Sequence, residues 1–194
     1  LARKSKEIGR PIYIIADEPY RELVYDGADV PFIPGIYPDT VVCYSYSKSL
    51  SLPGERLGYF CVPDGAADSP RLYTAACAAA RMMGHVCAPA LQQRVISACT
   101  GIRPQLEVYD RNRRTPYDAL TSYGYRCVYP SGAFYLFVEA PGGSARAFSD
   151  RAKEHNLLVV PGDDFGCPAF FRLSTCVDSD MVERSLPVFQ RLAE

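Results

Sequence analysis

Net charge is what this chain has least of. Its 21 lysines and arginines set against 22 aspartates and glutamates leave a formal charge of −1. The signs are interspersed, so no basic face exists to neutralise phosphates, and nucleic acid is excluded as a partner. Apolar runs are short as well. None approaches the roughly 20 residues a membrane-spanning helix needs, which argues against a membrane partner. No charged, apolar, small-residue leader opens the sequence, so the default expectation is the cytoplasm. Histidine is scarce, at two residues, and His85 and His155 do not supply zinc-ligand spacing. The eight cysteines, at 43, 61, 77, 87, 99, 127, 167 and 176, never form a CxxC pair. That removes the usual zinc and redox frameworks, and no metal is expected. The cysteines read instead as small buried hydrophobes, kept reduced. Repeats and low-complexity tracts are also missing.

What is present is ample apolar material, 48% of 194 residues, enough to bury a real core in one domain or two small ones. Residues 12–16, 41–44 and 58–62 read as short buried strands with room for crossovers between them, which favours a parallel sheet flanked by helices. Asp68-Ser69-Pro70 opens an alanine-rich helix with a plausible N-cap and an early proline, ending near Gly84. A second helix starts around Pro89, and an arginine-rich stretch from Pro104 to Ser122 reads as a long linking helix. Beyond it, strands at 126–129, 134–138, 157–160 and 169–174 alternate with helices near 145–155 and 179–193, a small α+β pattern. Pro187 should bend the last helix or shift its start. The expected division is therefore 1–103, a linker at 104–122, and 123–194.

The chemistry is concentrated in two segments. Ser45-Tyr46-Ser47-Lys48, followed eight residues after the lysine by Arg56 in Gly54-Glu55-Arg56-Leu57-Gly58-Tyr59, puts an amine, two hydroxyls and a guanidinium on one short stretch. Such a set can hold a phosphate and form a Schiff base with an aldehyde, which points to pyridoxal 5'-phosphate. Upstream, Tyr13-Ile14-Ile15-Ala16 reads as a buried strand ending in Asp17-Glu18-Pro19-Tyr20. An acid and a phenol thus sit where α/β proteins commonly bind ligands.

These segments, in this order and spacing, resemble the class I/II aminotransferases of the fold-type I pyridoxal phosphate enzymes. Pro130-Ser131-Gly132-Ala133-Phe134-Tyr135, Val160-Pro161-Gly162-Asp163-Asp164-Phe165-Gly166 and Phe171-Arg172-Leu173-Ser174 resemble the family's C-terminal signatures. The likeness runs from about Ile12 to Ser174. A Gly-rich phosphate turn, a ring-stacking aromatic and an Asn-Pro segment, which the family carries before the Asp-Glu-x-Tyr strand, are not found, so the chain reads as the second half of such an enzyme. The resemblance implies an α/β fold: part of a large domain with a mainly parallel sheet, plus a small α+β C-terminal domain.

It also implies roles. Lys48 would link the cofactor and move the substrate proton. Asp17 would hold the pyridine nitrogen and Tyr20 the phenolic oxygen. Ser45, Ser47 and Arg56 would bind the phosphate, and Arg172 would clamp the substrate's α-carboxylate. Position 19 departs from the family, with a proline that fixes φ and removes a donor where most relatives have an aliphatic residue or alanine. The expected activity is amino-group transfer between an amino acid and a 2-oxo acid by a homodimer. A carbon–sulfur lyase or decarboxylase of the same fold would use the same residues. A non-catalytic sensing domain of a transcriptional regulator is the alternative outside enzymes.

Overall fold

The β-branched, apolar run before Asp17 forms strand β1 (Ile14–Asp17), and the valine pair after Thr40 forms β2 (Thr40–Ser45) beside it, in parallel. Thr40 is fully buried, and its hydroxyl donates to Tyr37 O at 2.6 Å, which fixes the entry into β2. The computed structural model describes residues 1–193. They fall into two units, Leu1–Glu22 with Asp29–Pro104, and Leu23–Ala28 with the chain from Gln105 onward.

The first unit also contains α1 (Ala2–Ile8), α2 (Ile33–Ile36), the one-turn α3 (Tyr46–Ser49), β3 (Gly58–Cys61), α4 (Ser69–Met82) and α5 (Ala90–Ala98). Its sheet order is β1-β2-β3. The three expected strands exist, but only β1 and β2 are parallel, whereas β3 runs antiparallel to β2 with Ser45 opposite Gly58. The sheet is therefore mixed rather than mainly parallel. The cause is local: Tyr46 N–H donates to Leu57 O at 3.1 Å, so the excursion through α3 leaves and returns at the same end of β2, with no crossover. Gly58 is needed there because a Cβ would collide with the Tyr44 carbonyl across the strand pair, while Gly54 faces open space. The close approach seen at Gly58 is between strands.

At the start of α4, Asp68 adopts φ 54° and makes no side-chain capping bond; its carbonyl instead accepts from Arg71 and Leu72 at 2.9 Å each. Much apolar surface in this unit is uncovered: Ile15 is 73% exposed and Met82 89%. Among the described residues the outer edge of β1 pairs with nothing, which makes it a template for further strand pairing. No described helix is long and apolar enough to cross a membrane.

The second unit comprises α6 (Leu106–Ser122), β4 (Cys127–Val128), β5 (Tyr135–Glu139), α7 (Ala145–Glu154), β6 (Val160–Pro161), β7 (Phe170–Ser174) and α8 (Ser179–Leu192). An antiparallel sheet in the order β4-β5-β7-β6 packs against the helices. Its core is fully formed: Phe148 stacks on Phe171 at 4.5 Å, and Tyr125 meets both edge-on while donating to Phe189 O at 2.8 Å. β6 is shorter than the expected 157–160 and ends one residue later, with Val160 and Pro161 paired to Arg172 and Phe171, while Leu157 and Val159 go into the core outside the ladder. Gly162 follows because a Cβ there would strike the carbonyls of Cys167 and Phe170. Pro187 neither shifts nor stops α8, which starts at Ser179 under an Asp178 cap.

Leu23–Ala28 joins this unit through a bridge from Val24 to Gly132 and a 3.0 Å bond from Tyr25 N–H to Ser131 O. The cysteines are free, yet Cys61, Cys87 and Cys176 are exposed and the other five only partly buried, so the buried-hydrophobe expectation does not hold.

Candidate active site

The parallel register of β1 and β2 places Asp17 opposite Cys43, two residues before Ser45. Side chains alternate across a sheet, so Asp17, Cys43 and Ser45 share one face, at the C-terminal ends of their strands. β2 then turns directly into α3. Ser45, still extended, caps that turn: its Oγ accepts from Ser47 N–H at 3.1 Å and bonds the Ser47 hydroxyl at 2.7 Å. The turn delivers Lys48 from the same strand end. Its Nζ lies 5.7 Å from the centre of the Tyr20 ring, within cation–π range. Pro19 thus leaves Tyr20 beside the amine.

Arg56 ends a short 3₁₀ turn at Pro53–Glu55 in the left-handed region, φ 54°, where a glycine would sit with least strain. Nη1 donates to Pro53 O at 2.9 Å, and among the described residues no carboxylate pairs with the guanidinium. A positively charged fork at a strained position, directed to solvent, is typical of a ligand-binding loop. Cys43 beside the acid has its thiol pKa pushed up, by burial first and then by the Asp17 charge, so it is a poor nucleophile.

The first unit therefore brings Asp17, Ser45, Ser47 and Lys48, with Tyr20 beside the amine, to the ends of β1 and β2, and carries Arg56 on the turn that leads into β3. Arg172 belongs to the second unit, on β7. It is partly buried between the rings of Tyr135 at 4.7 Å and Phe165 at 4.8 Å, and among the described residues no carboxylate pairs with it. These two rings were not assigned a role from sequence. The available signal was the sheet register: Tyr135 lies opposite Ser174, diagonal to Arg172.

Pyridoxal phosphate can be tested against this donor set. Two clustered hydroxyls and a guanidinium without a carboxylate suit a phosphate dianion. An amine suits an aldehyde, and a carboxylate suits a protonated ring nitrogen. The residues fit. No group of three or more histidine, cysteine or acidic side chains among the described residues could hold a metal.

Residues 6–188 match the family described as Aminotransferase class I and II. An aspartate aminotransferase of Geobacillus stearothermophilus is 30% identical, with 94% of this chain and 49% of that protein aligned. Aromatic-amino-acid aminotransferase 2 of Thermococcus litoralis is 28% identical over 93% of this chain and 49% of its own length. Among solved structures, an aminotransferase from Eubacterium rectale matches with a TM-score of 0.93 at 54% identity, covering 99% of this chain and 48% of that one. The chain spans about half the length of the curated relatives it matches.

Proposed function

The chain belongs to the class I and II aminotransferase family, and from that premise we propose that it is the cofactor-lysine and C-terminal portion of an enzyme moving an amino group between an amino acid and a 2-oxo acid. The observation that carries this reading is the convergence of a carboxylate, two hydroxyls and an amine at the ends of β1 and β2, with a guanidinium on the adjoining turn. Residues 1–103 are then part of the large domain, 104–122 the linking helix and 123–194 the small domain. The whole protein works as a cytoplasmic homodimer without nucleic acid or membrane.

When bound, pyridoxal 5'-phosphate supplies an aldehyde and a ring that accepts electrons. This chain's residues do the rest. Lys48 Nζ would hold the aldehyde carbon and, once free, would take the proton from the substrate's Cα. Asp17 accepts a hydrogen bond from the ring nitrogen and keeps that nitrogen protonated. The Tyr20 hydroxyl bonds the ring's phenolic oxygen. Ser45, Ser47 and Arg56 hold the phosphate. Arg172, pre-aligned between two rings and without a carboxylate partner among the described residues, would bind the substrate's α-carboxylate as a fork.

The test uses the full-length protein, saturated with cofactor and given an amino acid but no oxo acid. Transfer releases one oxo acid per site and stops until a second oxo acid is added. Continuous release of ammonia with an oxo acid would mean elimination instead, and no release with any amino acid would favour a binding domain.

Two variants separate the proposed roles. Asp17→Asn should slow the chemical step for every substrate, because all of them draw on the same protonated ring. Arg172→Ala should weaken amino acid binding by about 2–5 kcal/mol, read in kcat/KM, and leave simple amines almost untouched. Equal losses for amines and amino acids would make Arg172 structural.

A further inference from the structure

The back of the lysine turn is built as carefully as its front. α3 spans only Tyr46–Ser49, and the bonds that close it are long: Leu50 N–H to Tyr46 O at 3.4 Å and Ser51 N–H to Lys48 O at 3.3 Å. One turn of helix is not stable by itself, so side chains must hold it. On the Asp17 face Ser45 does so through its cap. On the opposite face, the residue immediately after Lys48, Ser49, is 5% exposed, and its hydroxyl lies 2.7 Å from the Tyr44 hydroxyl.

Tyr44 is itself locked. Its ring stacks on Tyr59, its register partner in β3, at 5.1 Å, and meets Tyr46 edge-on at 5.2 Å. Burial pushes the phenol's pKa up to about 12; Ser49 opposes that shift and Glu22 adds to it. Glu22 lines the same small cavity as Tyr44 and Ser49, and its Oε2 is buried without a hydrogen-bond partner among the described residues.

We propose that Tyr44, hydrogen-bonded to Ser49 and stacked on Tyr59, is a positioning residue that fixes where Lys48 presents its amine. The inference rests on Lys48 being the cofactor-linking residue. Neither Tyr44 nor Ser49 lies among the proposed cofactor or substrate contacts. They act through the turn: Tyr44 ties the back of α3 to the sheet while Ser45 ties its front, and Lys48 lies between the two anchors. Loss of the rear anchor leaves the amine attached to a turn with one fixed side.

The test uses full-length protein loaded with pyridoxal phosphate. Tyr44→Phe keeps the ring stack and deletes only the hydroxyl; Ser49→Ala removes the other end of the same bond. Each variant, the double variant and wild type are compared by borohydride trapping at Lys48, by absorbance titration of the lysine–cofactor link against pH, and by kcat and KM. Each single variant is expected to lower kcat roughly tenfold, less than the 10²-fold that an ångström of misplacement can cost, with KM within about twofold. The midpoint of the titration should move by about half a pH unit or more. The double variant should be no worse than either single, because both delete one bond. A merely structural contact would lower the melting temperature and leave the titration where it was. Unmoved titrations in both single variants, or fully additive losses in the double, would overturn the positioning role. Trapping at another lysine in the wild type would overturn the proposed function along with it.

Discussion

Replacing Lys48 with alanine in the full-length protein should abolish turnover and borohydride-trapped labelling while still permitting pyridoxal phosphate to bind. The turnover loss follows from the two tasks proposed for this one side chain, the covalent hold and the proton shuttle. Positioned proton transfer alone is worth about 10²–10⁴-fold, so the combined loss should reach about 10⁴-fold or more. Retained binding follows from the separation of groups. Ser45 and Ser47 hold each other at 2.7 Å independently of the lysine, and Arg56 is placed by its own turn. Cofactor retention is checked by equilibrium dialysis, and labelling by mass mapping after reduction. Labelling that survives in the variant would move the covalent site elsewhere and sink the assignment.

The Lys48 site was legible in sequence because it is local. Residues 45–56 contain the cap, the amine and the guanidinium, and the acid and phenol of 17–20 follow one short strand, so adjacency along the chain becomes adjacency in space once two parallel strands pair. Strand direction was not legible. The pattern at 58–62 marks a strand but is the same for either orientation, and only the Tyr46–Leu57 bond shows that β3 returns antiparallel. The Tyr44–Ser49 contact was hidden for a related reason. It depends on the chain changing from a two-residue to a 3.6-residue period at position 46, which brings residues five apart onto the same side. The Asp68 cap failed where propensity met geometry: the residue type was right, but a left-handed backbone turned its side chain away from the helix end. The need for Gly58 was not legible either, since it comes from the Tyr44 carbonyl on the neighbouring strand.

The least legible residue is Arg113, which in sequence is one of several arginines in a polar helical stretch yet is 1% exposed. Its partner Asp26 lies 87 residues away in the chain. The guanidinium sits between the rings of Tyr25 at 4.4 Å and Tyr129 at 4.7 Å. It bonds Asp26 at 2.8 Å, Asp110 through Nε at 2.9 Å and the Pro130 carbonyl at 2.6 Å. It therefore fastens the Leu23–Ala28 segment to α6 within the second unit. Arg113→Ala removes the rings' filling and leaves a carbonyl and two carboxylates, each about a third exposed, short of a donor, so it should cost more than the roughly 0–1 kcal/mol of an exposed ion pair. Arg114 moderates the loss, because it reaches the same two aspartates at 2.6 and 3.0 Å, but it is half exposed and screened. Arg113→Met, which refills the space between the rings without charge, should lose less than alanine.

The pH dependence has a definite sign. Asp26 is held below the usual carboxylate range, first by its hydrogen bond from Arg113 against an opposing effect of burial. A carboxyl depressed in the folded state stabilises above its unfolded pKa of about 3.9, and that contribution is lost as pH falls through the lower folded value. Wild type and Arg113→Met should therefore differ most near neutral pH and converge as acid protonates Asp26. The measurement is hydrogen exchange at the β5 and β7 amides across that range, which reads the second unit's opening free energy directly. A difference below about 1 kcal/mol at neutral pH, the size of an exposed ion pair, would mean that Arg114 and the tyrosine rings hold the segment unaided.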